Sequence, residues 1–329
     1  MRVAIAGFGV AGAARLSAYR RVVGADVVAV IDPSPERRAH AAALDGRIRQ
    51  AASLEQALDG GPIDLVDICA PPVFHAPLAV QAMEAGCHVL CEKPVGLDVE
   101  ESLRMVACAR RTGRMLYPVF NYVYSPMMRT LAKAATWLRE PVNARFEIRR
   151  TTHAAGTPGW RPDWRRDPAV AGGGILLDHG THCVYMATRL LGGVPYRVTC
   201  TTRDGAGGLD ETVSARLDFA RGTCVIELSW AGTERRNLYR LDGANGSIAI
   251  DDDRVLIETP SGTETAALTS PTASGTHEEW FPDLFADLLT HLERPGGEPD
   301  PLEEILSTAR VVEAAYASAV RAGEPVEPV

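Results

Sequence analysis

Lysine is nearly missing from this chain: only Lys93 and Lys133 stand among thirty-four basic side chains. Arginine serves everywhere else. A position that keeps a compact ammonium, whose charge can be tuned, therefore invites a chemical reason. Lys133 lies in Leu131-Ala132-Lys133-Ala134, a solvated helix face, whereas Lys93 follows an apolar run and sits between Glu92 and Pro94. Apolar runs approaching the roughly 18 residues of a membrane span are absent, which argues against an integral membrane protein. Cationic excess is absent too. A net charge of −8 excludes the basic stripe that nucleic-acid binding requires. The seven cysteines, Cys69, Cys87, Cys91, Cys108, Cys183, Cys200 and Cys224, are odd in number and show no C-x-x-C spacing. They read as buried, reduced thiols of a cytoplasmic protein, with no metal site. The first residues are apolar, but regular glycines and then Arg15, Arg20 and Arg21 follow, so they read as mature structure and not as a leader.

What is present is ordinary globular composition, 46% hydrophobic and 23% charged, over 329 residues, enough for two domains. Short apolar strands are expected at 3–6, 27–31, 65–70, 88–91 and 115–119. Helices are expected between them, to about 23 and over 34–44, 75–85 and 98–112. Continuous apolar strands alternating with helices predict a parallel sheet covered on both faces. The pattern changes near residue 120. After a helix at 126–138 and a strand at 144–151 comes a loop rich in Trp, Arg and Pro. A helix after the triplet Gly172-Gly173-Gly174 follows, then strands at 197–203, 212–219, 223–230, 237–241 and 247–250. Turn signals separate them, so this sheet is expected to be largely antiparallel. Helices at 278–293 and 302–322 finish the chain. The division expected is a Rossmann-type doubly wound domain over 1–120 and an α+β domain over 121–329.

The turn after the first strand reads Gly7-Phe8-Gly9-Val10-Ala11-Gly12 and opens a helix, with Asp32 twenty residues beyond Gly12 at the end of the second strand. Strand, glycine turn, helix and distal acid together make the dinucleotide fingerprint. Gly7 permits the turn, Gly9 lets the backbone approach a pyrophosphate, and Gly12 allows helix and strand to pack closely. The helix N-terminus offers N–H groups to phosphate. Asp32 accepts from ribose hydroxyls and repels a 2′-phosphate, which favours NAD over NADP; Arg37 joins the expected cofactor set.

Lys93 then falls at the carboxyl edge of the sheet, where such folds bind ligands. Several segments occur in order: Ala70-Pro71-Pro72-Val73-Phe74-His75, then Glu92-Lys93-Pro94, then Asn121 with Ser125-Pro126, then Gly172-Gly173-Gly174 through Asp178-His179-Gly180-Thr181-His182. In these the chain resembles the Gfo/Idh/MocA oxidoreductase family over nearly its whole length. The resemblance implies that Ala70, Pro71, Pro72 and His75 line the cofactor with Glu92, Lys93 and Asn121 near it. It also implies that the second sheet is open-faced, walls the active site and serves a homodimer or homotetramer.

A helix from Gly174 onward would set Asp178 and His182 one turn apart on one face. The carboxylate could then orient the imidazole while His182 moves a proton. Lys93 would steady the charge on the reacting oxygen, so Lys93, Asp178 and His182 form the expected catalytic group. Two positions depart from the family pattern: His179 replaces an apolar residue, and Val123 a basic one. Tyr122, Trp164, Arg165 and His179 are the candidate substrate contacts, with Gly159-Trp160-Arg161-Pro162 part of the same loop. The expected activity is hydride transfer between a nicotinamide cofactor and a secondary hydroxyl or keto group of a sugar, cyclitol or related polyol. Glycoside cleavage through transient oxidation, reduction of imines or other carbonyls, and NAD sensing without turnover stay open as alternatives.

Overall fold

A computed structural model describes residues 1–153, 163–205, 207–268, 277–294 and 296–329. Its first half alternates strictly: β1 (Arg2–Ala6), α1 (Val10–Tyr19), β2 (Asp26–Ile31), α2 (Pro35–Leu44), β3 (Arg49–Ala51) and α3 (Leu54–Asp59). There follow β4 (Leu65–Ile68), α4 (His75–Glu84), β5 (His88–Cys91), α5 (Val99–Thr112) and β6 (Leu116–Pro118). All six strands run parallel in the order β3-β2-β1-β4-β5-β6. The order reverses between β1 and β4, which opens a crevice at their carboxyl ends. Local signals start the helices: Ser34, Ser53 and Asp98 each accept a backbone N–H of the first turn. Strand β3 and helix α3 had no apolar run to announce them. Arg49-Gln50-Ala51 is an edge strand that buries only Ala51 fully.

The second half contains α6 (Pro126–Trp137), β7 (Asn143–Arg149), the short α7 (Pro168–Ala171) and α8 (Thr181–Leu191). Strands β8 (Arg197–Asp204), β9 (Asp210–Phe219), β10 (Gly222–Ser229), β11 (Arg236–Gly243), β12 (Gly246–Asp251), β13 (Arg254–Thr259) and β14 (Gly262–Ala267) follow. The last helices are α9 (Phe281–Glu293) and α10 (Pro301–Val320). The eight strands order as β14-β13-β12-β11-β7-β10-β9-β8, antiparallel except for the parallel β7–β10 pair. One face packs Phe146, Ile148, Leu217, Ile226 and Tyr239 against α6, α8 and α10. The other face carries ion pairs: Glu147 with Arg145, Arg149 and Arg236, Asp218 with Arg216, and Arg240 with Asp242. Period-two alternation thus separates an apolar face from a charged one.

The chain's final helices return to the first sheet. Phe281, Leu284, Phe285 and Leu288 of α9 share a core with Val3, Ile5, Leu16, Leu65 and Leu90. Ile305 and Leu306 of α10 join the core on the opposite face. Asp287 of α9 accepts from Tyr117 at 2.7 Å and Tyr124 at 2.6 Å. These contacts hold the two sheets on either side of one cleft.

Candidate active site

The cleft has a volume of about 890 Å³ and runs from the β1–α1 turn to the end of β7. At its dinucleotide end Gly7 has φ +93°, and a Cβ there would meet Ala70 N at 2.6 Å; one at Gly12 would strike Gly7 O at 2.1 Å. Only glycine permits this turn. Helix α1 starts at Gly9 without a side-chain cap, so its first N–H groups are open toward the cleft. Gly7, Gly9, Val10, Ala11, Ala70, Pro71 and Pro72 line this end. Phe8 does not: its ring is buried against His40, and its backbone N–H donates to Asp32 Oδ2 at 2.8 Å. Asp32 also accepts from Ser34 N at 2.9 Å, and Arg37 Nη1 stands 3.6 Å from its Oδ2. The carboxylate is thereby fixed at the end of β2. A dinucleotide fits this set: a glycine turn, an uncapped helix start and an anchored acid converge on one crevice.

His75 is the clearest departure from expectation. The resemblance assigns it to the cofactor wall, yet it is 1% exposed. Its two ring nitrogens lie 2.7 Å from Pro94 O and 2.8 Å from Ala70 O. The ring is held between the Ala70 turn and the segment after Lys93, and as a neutral imidazole it donates to one of the two carbonyls at a time. Burial lowers its pKa, against the pull of the two carbonyls.

Glu92 lines the cleft and pairs with Arg15 Nη2 at 2.5 Å. Arg15 is buried beside Asp67, whose carboxylate accepts from Tyr19 at 3.0 Å. Burial pushes the Asp67 carboxyl up despite the nearby guanidinium. This charged cluster under the turn anchors the Glu92–Lys93 segment, and nothing in the local pattern announced Arg15 or Asp67.

Lys93, Asp178, His179 and His182 meet at the other end of the cleft with Asn121 and Tyr122. The helix expected from Gly174 opens with a π-turn, Leu176–Gly180, before α8. Such a turn widens the spacing, and its insertions often occur at functional sites. It also breaks the expected one-turn pairing. Among the described residues the partners of Asp178 are Lys93, with Nζ 2.6 Å from Oδ1, His179, with Nδ1 3.3 Å from Oδ2, and Arg165, with Nε 3.5 Å from Oδ2. His182 instead has Nδ1 2.6 Å from Tyr185 Oη, one turn on along α8. Burial opposes ionisation of Asp178, but Lys93 and His179 hold its carboxyl well below the usual range. His182 lies against Tyr122, ring centroids 4.4 Å apart; burial, then Lys93, keeps its pKa well below 6.5. It is a neutral imidazole at working pH, able to exchange a proton through Nε2. His179 is also kept neutral, chiefly by burial.

Of the remaining substrate candidates, Trp164 lines the cleft with Arg165 stacked 4.2 Å over its ring. Arg165, expected as a substrate contact, approaches the carboxylate of Asp178. Gly159-Trp160-Arg161-Pro162 lie outside the described residues.

Asp210, at the start of β9, was not visible as a site residue. Its carboxylate accepts from Gly174 N at 2.8 Å, Leu176 N at 2.7 Å and Tyr316 Oη at 2.9 Å. It caps the π-turn that displays Asp178, and a Cβ at Gly174 would strike Asp210 O at 2.0 Å. Burial raises its pKa. Tyr185 was legible in principle, three residues after His182 on a helix.

Residues 1–120 match the family model described as an oxidoreductase family with an NAD-binding Rossmann fold, and 139–249 match the GFO/IDH/MocA C-terminal domain. D-apiose dehydrogenase of Paraburkholderia graminis is 29% identical over 98% of this chain and 88% of its own length. D-xylose 1-dehydrogenase (NADP(+)) 2 of Haloferax volcanii is 29% identical over 88% of this chain and 89% of its own. A levoglucosan dehydrogenase solved with NADH and L-sorbose superposes with a TM-score of 0.84 at 22% identity, covering 100% of this chain and 99% of that one. Two adjoining domain models in the family's order, on a glycine-turn Rossmann sheet followed by the mostly antiparallel one, settle the relationship: this chain belongs to the Gfo/Idh/MocA oxidoreductases.

Proposed function

We propose that the protein is an NAD-dependent dehydrogenase or reductase acting between a secondary hydroxyl and the corresponding ketone of a sugar, cyclitol or related polyol. The observation that carries this reading is the meeting of Lys93, Asp178 and His182 in the same cleft as the dinucleotide turn. The names of the full-length relatives, sugar dehydrogenases, support the substrate class. Bound NAD would supply the hydride acceptor, or in reverse the donor, at its nicotinamide ring. The turn 7–12, Asp32, Arg37, Ala70–Pro72, Glu92 and Asn121 would hold it. The doubly anchored Asp32 supports NAD over NADP, since a 2′-phosphate there would face a fixed carboxylate.

An ammonium has three protons, and Asp178 takes two of those on Lys93. The third is left for the reacting oxygen, where it stabilises developing alkoxide charge. His182 Nε2 exchanges the hydroxyl proton. The Tyr185 hydroxyl can donate to or accept from Nδ1, so one contact serves both tautomers of the ring. Asp178 acts through Lys93, not through His182. The free, buried thiols fit a reducing compartment such as the cytoplasm, and the charged open sheet face fits a homodimer or homotetramer.

The test is absorbance of NADH with purified protein, NAD and a panel of aldoses, cyclitols and polyols. Turnover with at least one polyol, abolished in His182→Ala, is the expected result. NAD binding with no turnover of alcohols with NAD or of ketones with NADH would overturn the reading in favour of a sensor.

A further inference from the structure

Strands β7 and β11 pair with Arg149 opposite Arg236, so one step beyond the ladder Arg150 stands opposite Arg235. Ile148 and Asn237, two residues back on each chain, are each 2% exposed beneath the packed helices. By alternation Arg150 and Arg235 continue that inner face past the end of the core, and both line the cleft. Like charges directly opposite in a sheet are unfavourable. Burial, followed by Arg235, lowers the pKa of Arg150.

The protein's own anions do not neutralise this guanidinium. Arg150 Nη1 donates to Arg149 O at 2.8 Å and Arg236 O at 3.4 Å, both uncharged carbonyls. No carboxylate among the described residues lies within ion-pair distance of it, and the segments outside the described residues contain no Asp or Glu. Asp252 lies 3.9 Å from Arg235, and Asp178 is engaged by Lys93 and Arg165. Arg150 bears electrostatically on Tyr122, His179 and His277, all in the half of the cleft away from the glycine turn. A bound dinucleotide phosphate at α1 would not serve it.

We propose that the substrate carries an anionic group, carboxylate or phosphate, received by Arg150 with Arg235 beside it, while its reacting hydroxyl faces Lys93 and His182. This rests on the oxidoreductase reading above and narrows it to acidic sugars and polyols. A charge-assisted hydrogen bond to a planar guanidinium would select such a molecule over its neutral counterpart.

The experiment compares NAD-coupled oxidation of matched pairs: D-gluconate against sorbitol, and D-glucose 6-phosphate against D-glucose. One anionic member is expected to exceed its partner in kcat/KM by about tenfold to a hundredfold, mostly through KM. The better of the two arms identifies carboxylate or phosphate. Arg150→Met should erase the preference and Arg150→Lys keep part of it, with NAD affinity and melting temperature confirming that both variants fold. Equal turnover of both members, or equal loss of both in Arg150→Met, overturns the proposal and leaves the oxidoreductase reading intact. If no pair turns over, calorimetric titration of gluconate and glucose 6-phosphate into the protein with NADH decides separately. Binding lost in Arg150→Met upholds the anion site and leaves the redox reading to the wider panel above; no binding to the unaltered protein overturns the site.

Discussion

Lys93 Nζ donates to two oxygens of a single residue, Asp178 Oδ1 at 2.6 Å and Asp178 O at 2.8 Å. This double contact spans the cleft from the β5 edge of the first sheet to the π-turn of the second domain. Fixing an ammonium this way orients its remaining proton and neutralises a carboxylate that burial would otherwise penalise. Lys93→Met should lower kcat by about two to three orders of magnitude, the usual cost of losing one donor to a developing oxyanion. It should also destabilise the fold by up to about 3 kcal/mol, because Asp178 keeps only its weaker partners. Lys93→Arg should fail nearly as badly in kcat, since the fork cannot reproduce the point charge. Steady-state kinetics with denaturant melts separate the two effects, and near-normal kcat in either variant would remove Lys93 from the chemistry.

Tyr185 is expected to act through the histidine. Its hydroxyl meets His182 Nδ1 at 2.6 Å and accepts from Tyr122 N at 3.3 Å, while its ring stacks on Phe120. Tyr185→Phe keeps the stack and deletes the hydroxyl. It should lower kcat by about tenfold, near the worth of one buried hydrogen bond, with KM and coenzyme affinity little changed. An unaltered kcat, or a loss confined to KM, would show that the contact is only structural.

The fold was legible where burial is uniform. β1, β2, β4 and β5 are short apolar runs because both sheet faces are covered, and their turns carry glycine or proline. Arg49–Ala51 escaped notice since an edge strand buries little, β13 because it is mostly half-buried, and β14 because it is exposed throughout, so none shows a strong alternation. At the site, Lys93, Asp178 and His182 were legible as residue types but not as a network. A spacing of four means one face only in an α-helix, and the π-turn made Asp178 the partner of Lys93 instead. His75 was misplaced because a loop histidine beside a crevice looks the same in sequence whether its nitrogens face ligand or backbone. Asp210 and Arg15 act across the fold, at separations no local pattern encodes.

Asp210 offers a positioning test at a distance from the reacting atoms. Asp210→Asn keeps the shape and one acceptor oxygen but cannot receive Gly174 N, Leu176 N and Tyr316 Oη together. The orphaned donor costs about 1–3 kcal/mol of stability. Loosening the π-turn should also reduce kcat more than coenzyme affinity, since Asn121, Asp32 and the glycine turn are untouched. Tyr316→Phe, which leaves both backbone donors paired, should be milder in both respects. If Asp210→Asn loses stability while kcat holds, the cap supports the fold without setting the site.

Coenzyme choice should rest on Asp32. Its oxygens are pinned by Phe8 N and Ser34 N, so it cannot swing away from a 2′-phosphate. Asp32→Ser removes the charge while retaining a small acceptor, and leaves Arg37, which also lines the cleft, as the charged side chain that stood beside that carboxylate. The ratio of kcat/KM for NADP over NAD should rise by about a hundredfold, as expected when a like-charge clash of several kcal/mol is relieved. A wild-type protein that already prefers NADP would refute the assignment.

The pH dependence of stability should be set in part by His277, whose ring stacks on Trp280 with centroids 3.8 Å apart. Burial lowers its pKa from 6.5 to about 4. Between those values the unfolded chain binds a proton that the folded chain refuses. The sign follows: the stability this group lends is complete above pH 6.5, declines as pH falls, and levels off below about pH 4. The full gap corresponds to roughly 3 kcal/mol as an upper bound. His182, depressed for the same reason, adds a loss of the same sign. Asp67 and Asp210, whose carboxyls are raised, work in the opposite direction at the acid end. A comparison with His277→Phe, which keeps an aromatic stack and cannot titrate, cancels those shared contributions. Denaturant melts from pH 7 to pH 4 should show a shallower decline in the variant, the stability difference between the two proteins shifting by up to roughly 3 kcal/mol in its favour toward acid. Parallel curves would mean that His277 titrates alike in the folded and unfolded protein, and its burial would then carry no proton linkage.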